Sequence, residues 1–516
     1  MSGDAWLDES PFPIARLAGL ARNPTAPTGL LIELMRHWPD HAAGWLRRRA
    51  ILEPPLQDAM QGHHSARIRG ALASHPDVSP SLRAALLNDE SWRVRTRAFG
   101  RPEQRPLSDE TLTQLLADLD QPPRGVPMTR DELLNELLWA DRHDGRLLEL
   151  AARHPRPGIR QLAAQYLNVL HEDSRQALLD DPVVEVRSAA ADNAEFWRQQ
   201  MLPADLPQRH CHEFWAVLHR SLSPALVDHV LASGDIEAMR VVAENPTTPP
   251  DAVAVLLDHP DAEVRQRLSR RADLNGEQLA QLAADPAARV RTAVSVHPGL
   301  TEQQRAEISI DLATVPCDGY FGHPDATCDR GYHIDSPVPP LDEAIRGVRS
   351  VNPLLRRAAA RNPTLPDELV AALETDSDFG VRVLLAQHHP SASPSLLLQS
   401  FVDYRGCGRR RLIQRPLFPT VGTARLAVDP DPAVRRLAVR DPDAESAVIS
   451  HLSDDPDLTV RRAAAACPRL PISRIMMLLD DPELAEDAAA NPALPPNEMW
   501  RILSSSPWDQ RREPSR

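Results

Sequence analysis

Four residues of types that bind metal, Cys317, His323, Cys328 and His333, fall within 17 residues of one another. Thiolates and imidazoles in such a set make the tetrahedral zinc sites that staple loops. The spacing argues against one here. No pair has the short Cys-x-x-Cys separation, and His323 precedes proline as the non-metal residues His75, His297 and His389 do. His210-Cys211-His212-Glu213 invites a metal or thiol-enzyme reading, but the chain has no His-Glu-x-x-His, and the other His-Glu pair, His171-Glu172, is out of phase with it. Cys467, in Ala-Cys-Pro, reads as a buried repeat residue. All 58 basic residues are arginine, which removes the lysine-dependent reactions of phosphate loops, kinases and Schiff bases. What remains is a cluster suited to recognition. Arg405, Arg409, Arg410, Arg411 and Arg415 crowd a segment opened by Tyr404 and bent by Gly406 and Gly408. Guanidinium forks there suit carboxylates or phosphates, and the aromatic suits stacking. The net charge of −14 disfavours broad nucleic-acid binding, so a protein partner is expected.

The elements that must position these residues are set by a period. Val264-Arg265 and Val290-Arg291 stand 26 residues apart, as do Ile68-Arg69 and Val94-Arg95, Leu355-Arg356 and Val381-Arg382, and Val434-Arg435 and Val460-Arg461. Phrases such as Asp285-Pro286 and Asp181-Pro182 predict a helix capped by Asp with proline at its first position. Pre-proline residues such as His297 predict that helix's end. Thr248-Pro-Pro-Asp251, Ser79-Pro80 and Ser393-Pro394 predict caps of a second helix. Two short helices per unit cannot stand alone in water, so stacking must supply the stability. In-phase arginines, from Arg69 to Arg461, are expected to pair with a helix-starting Asp or a carbonyl of the next unit. Glu486 stands in the arginine phase of the last unit, as a terminal cap would require.

On these phrases, Asp-Pro-x-x-x-Val-Arg followed by Asn-Pro-x-x-Pro and a Leu-rich helix, the units resemble leucine-rich repeat variant repeats and, more loosely, HEAT repeats. The resemblance implies an all-α, right-handed solenoid of paired short helices, the second often close to 3₁₀, and no particular activity. An iron–sulfur cluster known in some members uses cysteines near the N-terminus. The first cysteine here is Cys211, so no cofactor is carried over. The expected organisation is N-terminal repeats over 1–100, degenerate helical repeats over 101–235 and regular repeats over 236–312. An inserted loop over 313–340, repeats over 341–402, an Arg-rich insertion over 403–420, C-terminal repeats over 421–503 and a tail over 504–516 complete it. The function expected is a non-enzymatic scaffold for a protein partner. The alternative is a nucleic-acid-binding HEAT-like repeat protein, DNA-glycosylase-like proteins included, and a metalloenzyme comes third. No run of apolar residues is long enough to span a membrane. The opening residues lack the parts of a signal peptide, and Arg-only basicity suits a bacterial, cytoplasmic protein.

Overall fold

The computed structural model describes residues 12–99, 109, 112, 113, 116, 145–312, 338–406 and 408–506. Cys317, His323, Cys328 and His333 lie outside them, as do Leu133, Leu134, Leu137 and Leu138. The described residues form short helices without strands, apart from one isolated bridge between Met201 and Leu222. Among them no helix is long and apolar enough to cross a membrane. The chain divides into two compact units, Met1–Phe196 with Val421–Arg516, and Trp197–Thr420.

The 26-residue phrase folds as a helix pair. In the second unit Ala262–Leu268 and Ala288–Val294 are first helices, and Pro250–Leu257 and Gly276–Ala283 are second helices. Val264 and Val290 are fully buried between them, with Leu256, Leu268 and Val294. The 3₁₀ character implied by the resemblance is seen, among the described residues, at Leu167–Val169, Pro203–Asp205, Leu312 and Ala424–Val428, while second helices such as Pro250–Leu257 are α-helical.

Two capping expectations change. Asp285 lies two residues before the N-cap, Ala287, and accepts the Ala287 amide at 2.8 Å, so Asp-Pro closes a turn ahead of the helix. Asp455 does the same with Asp457, and Asp457 is the true cap, accepting from Thr459 and Val460. The reason is that the earlier carboxylate is engaged by an arginine of the preceding repeat. Thr248 is not a cap either: its buried hydroxyl donates to the Val242 carbonyl at 2.6 Å. Ser79 and Ser393 do cap, accepting from Leu82 and Leu396.

A further correction concerns the end of the chain. In the first unit the last repeat is not a terminal cap, because the helix Phe12–Arg22 packs against the helix Ala485–Ala489 as the next repeat of the stack. Arg22 pairs with Glu486 at 2.6 Å and Arg16 with Asp480 at 2.7 Å. The acid that breaks the repeat pattern is therefore the partner of an arginine near the other end of the chain.

Candidate functional site

The side chains with chemical potential are taken up first by the joints between repeats. Arg265 donates through Nε and Nη2 to both carboxylate oxygens of Asp285, at 2.6 and 2.9 Å, and through Nη1 to the carbonyls of His259 and Pro260. The same fork joins Arg69 to Asp89, Arg160 to Asp181, Arg356 to Asp376 and Arg435 to Asp455. Arg187 and Arg382 donate to the carbonyls of Asp181 and Asp376 at the head of their own helices. The forks are the Asp partners expected of the in-phase arginines, whereas these carbonyls belong to the arginine's own repeat and not to the next one. The Arg160 hydrogen bond, working against burial, holds the Asp181 carboxyl below its usual value, and Arg435 does the same for Asp455.

A second chain of bonds was not read from the sequence. In the first unit Asn491 donates to the carbonyls of Ala465 and Cys467, both at 2.7 Å, and Asn23 donates to those of Ala489 and Asn491 at 2.9 and 2.7 Å. Arg49 then reaches the Asn23 carbonyl at 2.5 Å, and His75 Nε2 lies 2.8 Å from the Arg49 carbonyl. In the second unit Asn245 donates to Leu218 and Arg220, Arg271 to Asn245, and His297 Nε2 lies 2.8 Å from the Arg271 carbonyl. Meanwhile His297 Nδ1 accepts the Gly299 amide, which fixes Nε2 as the donor. Both ring nitrogens of His75 and His297 are thus engaged by backbone, which leaves neither with a lone pair for a metal. Cys467 is buried in this same phase.

The other candidates separate. His210 pairs with Asp235 at 2.6 Å and rests against Phe214 and Trp215, while Cys211 is the exposed residue before the helix His212–Leu218. The hydrogen bond to Asp235 raises the His210 pKa. His171 lies on Glu149 rather than on its neighbour Glu172, and Glu149 accepts from Ser174 at 2.5 Å. Among the described residues no group of three or more His, Cys, Asp or Glu could hold a metal ion.

The Arg-rich segment belongs to the second unit. The helix Pro394–Asp403 ends at Tyr404, whose backbone turns extended and whose ring is fully buried, so the tyrosine expected to stack on a partner lies inside the fold. Gly406 is packed against that ring: a Cβ there would stand 2.2 Å from the phenolic oxygen. A Cβ on Gly408 would meet the Gln387 side chain at 2.5 Å. The helix Arg409–Leu412 follows, anchored by buried Leu412. Arg409 donates to the Phe401 carbonyl at 2.7 Å with its guanidinium 4.4 Å from the Phe401 ring, itself edge-on to Phe418. Arg415 is half-buried beneath the His388 carbonyl. Arg405, Arg410 and Arg411 face solvent.

Neither a protein-family model nor a curated protein matches the sequence. Among solved structures, a karyopherin bound to the extreme C-terminus of a protein phosphatase is 12% identical, with a TM-score of 0.20. The match covers 97% of this chain and 52% of that one, so the chain spans about half the length of the karyopherin. An engineered protein is 14% identical over 96% of this chain and 95% of its own, with a TM-score of 0.11. Scores this low carry no argument about function or arrangement.

Proposed function

We propose that the chain is a non-enzymatic scaffold of leucine-rich repeat variant type that binds an acidic protein segment through the Arg-rich insertion. The observation that carries the reading is the contrast between two sets of arginines. Those in phase with the repeat are spent on Asp or Glu carboxylates and backbone carbonyls, whereas Arg410 and Arg411 stand out of phase and exposed on Arg409–Leu412. Tyr404, Arg409 and Arg415 then serve as the mount, and Arg405, Arg410 and Arg411 as the contact. An exposed pair of guanidinium groups recognises carboxylates by bidentate contact, and such binding weakens as salt rises.

The test compares a Glu-rich peptide with a single-stranded oligonucleotide of equal charge, on the full chain and on Arg410→Ser/Arg411→Ser. Peptide binding lost in the variant, with an unchanged Tm, supports the reading. Preference for the oligonucleotide, or peptide binding that the substitutions leave intact, overturns it.

A further inference from the structure

The joint between Phe12–Arg22 and Ala485–Ala489 connects two different faces of one stack, and its residues lie more than 460 positions apart in the chain, as Arg16 and Leu479 do at a separation of 463. One face offers carboxylates and carbonyls: Glu486, Asp487, and the backbones of Ala489 and Asn491. The other offers donors: Arg16, Arg22 and Asn23. Arg22 meets Glu486 at 2.6 Å and Asp487 at 3.5 Å, and Arg16 donates to the Leu479 carbonyl at 2.8 Å. The backbones are close enough to require glycine, since a Cβ on Gly19 would stand 2.1 Å from the Glu486 carbonyl oxygen. Each of these polar contacts is of the donor-to-acceptor kind that joins successive repeats elsewhere.

The joint nevertheless lacks the Arg–Asp fork found at Arg69, Arg160, Arg265, Arg356 and Arg435. At Arg265 and Asp285 the side chains keep 11% and 6% exposure and meet through two nitrogens. Arg22 and Glu486 keep 30% and 36% and meet through one. A partly exposed ion pair with one hydrogen bond holds less firmly than a buried bidentate one. Burial also pushes the Asp487 carboxyl above its usual value, so its ionised form works against closure.

We propose that this joint is an exchangeable clasp, and that the acidic end face freed when it opens accepts the Arg16, Arg22 and Asn23 face of a second copy of the chain. The two faces differ and are complementary, so a second copy supplies each with the same contacts it has within one chain. That is the condition under which swapping of an identical element needs no new surface.

Charge reversal tests this on the full chain. Arg22→Glu opposes Glu486 within its own molecule, and Glu486→Arg/Asp487→Arg opposes Arg22 within its own. Mixed, each copy presents the face the other needs. Each variant alone should be monomeric, with amide protection of Phe12–Arg22 reduced at least tenfold. The equimolar mixture should double in mass by light scattering and recover that protection. A chain carrying all three changes should be monomeric and protected, showing that the reversed charges are compatible with folding; Glu486→Arg alone replaces the double change if the latter does not fold. A mixture that stays at monomer mass, or single variants that keep native protection, would overturn the proposal.

Discussion

Asn and His share the position before proline because each side chain can accept and donate at once. Asn245 accepts the Thr247 amide through its oxygen and donates to the previous repeat through its nitrogen; His297 does the same with its two ring nitrogens. Asn245→Leu removes four side-chain hydrogen bonds and leaves the Leu218 and Arg220 carbonyls without this donor. It should cost about 2 kcal/mol or more, read from urea unfolding. Val290→Asp, at a fully buried site, should cost on the order of 3 kcal/mol or more; an unchanged Tm would mean that the helix face is misassigned. The pH profile follows from two groups of opposite charge type. Burial lowers the pKa of His389 from its ordinary 6.5, so the unfolded chain binds a proton there first and stability falls as pH drops below that value. Asp181 and Asp455 titrate below their ordinary 3.8, so their contribution is complete above it and is lost as pH falls through the lower folded values. Denaturation midpoints should therefore decline in two stages. His389→Asn, which keeps an acceptor and a donor, should shallow the first stage and leave the second.

At the scale of the element, the period, the two-helix unit and the buried Val phase were legible because each is written in residues adjacent in sequence. Capping was legible at Ser79 and Ser393 and misread at Asp285. A carboxylate next to proline has two uses, and the choice between them depends on an arginine twenty residues earlier. Tyr404 was misread for a similar reason. Its neighbours Gly406 and Gly408 look like hinges, yet both stand where a Cβ would strike another side chain, so the glycines mark close packing. Gly406→Ala should therefore lower the Tm by several degrees and disturb Arg409–Leu412, whereas Arg410→Ser/Arg411→Ser should leave it unchanged. Equal and small effects from both would mean that the segment is not mounted on the Tyr404 ring.

At the scale of the whole molecule, the first unit is assembled from two ends of the chain, and its order in space differs from its order in sequence. The hydrogen-bonded spine runs through Cys467, Asn491, Asn23, Arg49 and His75. No local pattern shows the step from Asn491 to Asn23, although Glu486 in an arginine phase was its trace in the sequence. A permuted chain follows from that order. It would run from Val421 through the present C-terminus into the present N-terminus and stop at Phe196, with residues 507–516 and 1–11 as the connection. Those 21 residues can span on the order of 70 Å when extended, and a longer loop adds little closure cost. The exposed Val421, beside Gly422 in the left-handed region at φ 78°, offers the start. This fragment should unfold in one cooperative transition, because its joints are those of the intact unit. Residues 1–196 and 421–516 expressed as separate chains should each be less stable than the joined form, since each then lacks the Arg22 and Asn23 contacts. If 1–196 alone matched the permuted fragment in Tm, the contacts between Phe12–Arg22 and Ala485–Ala489 would contribute nothing to stability, and the spine would end at Asn491.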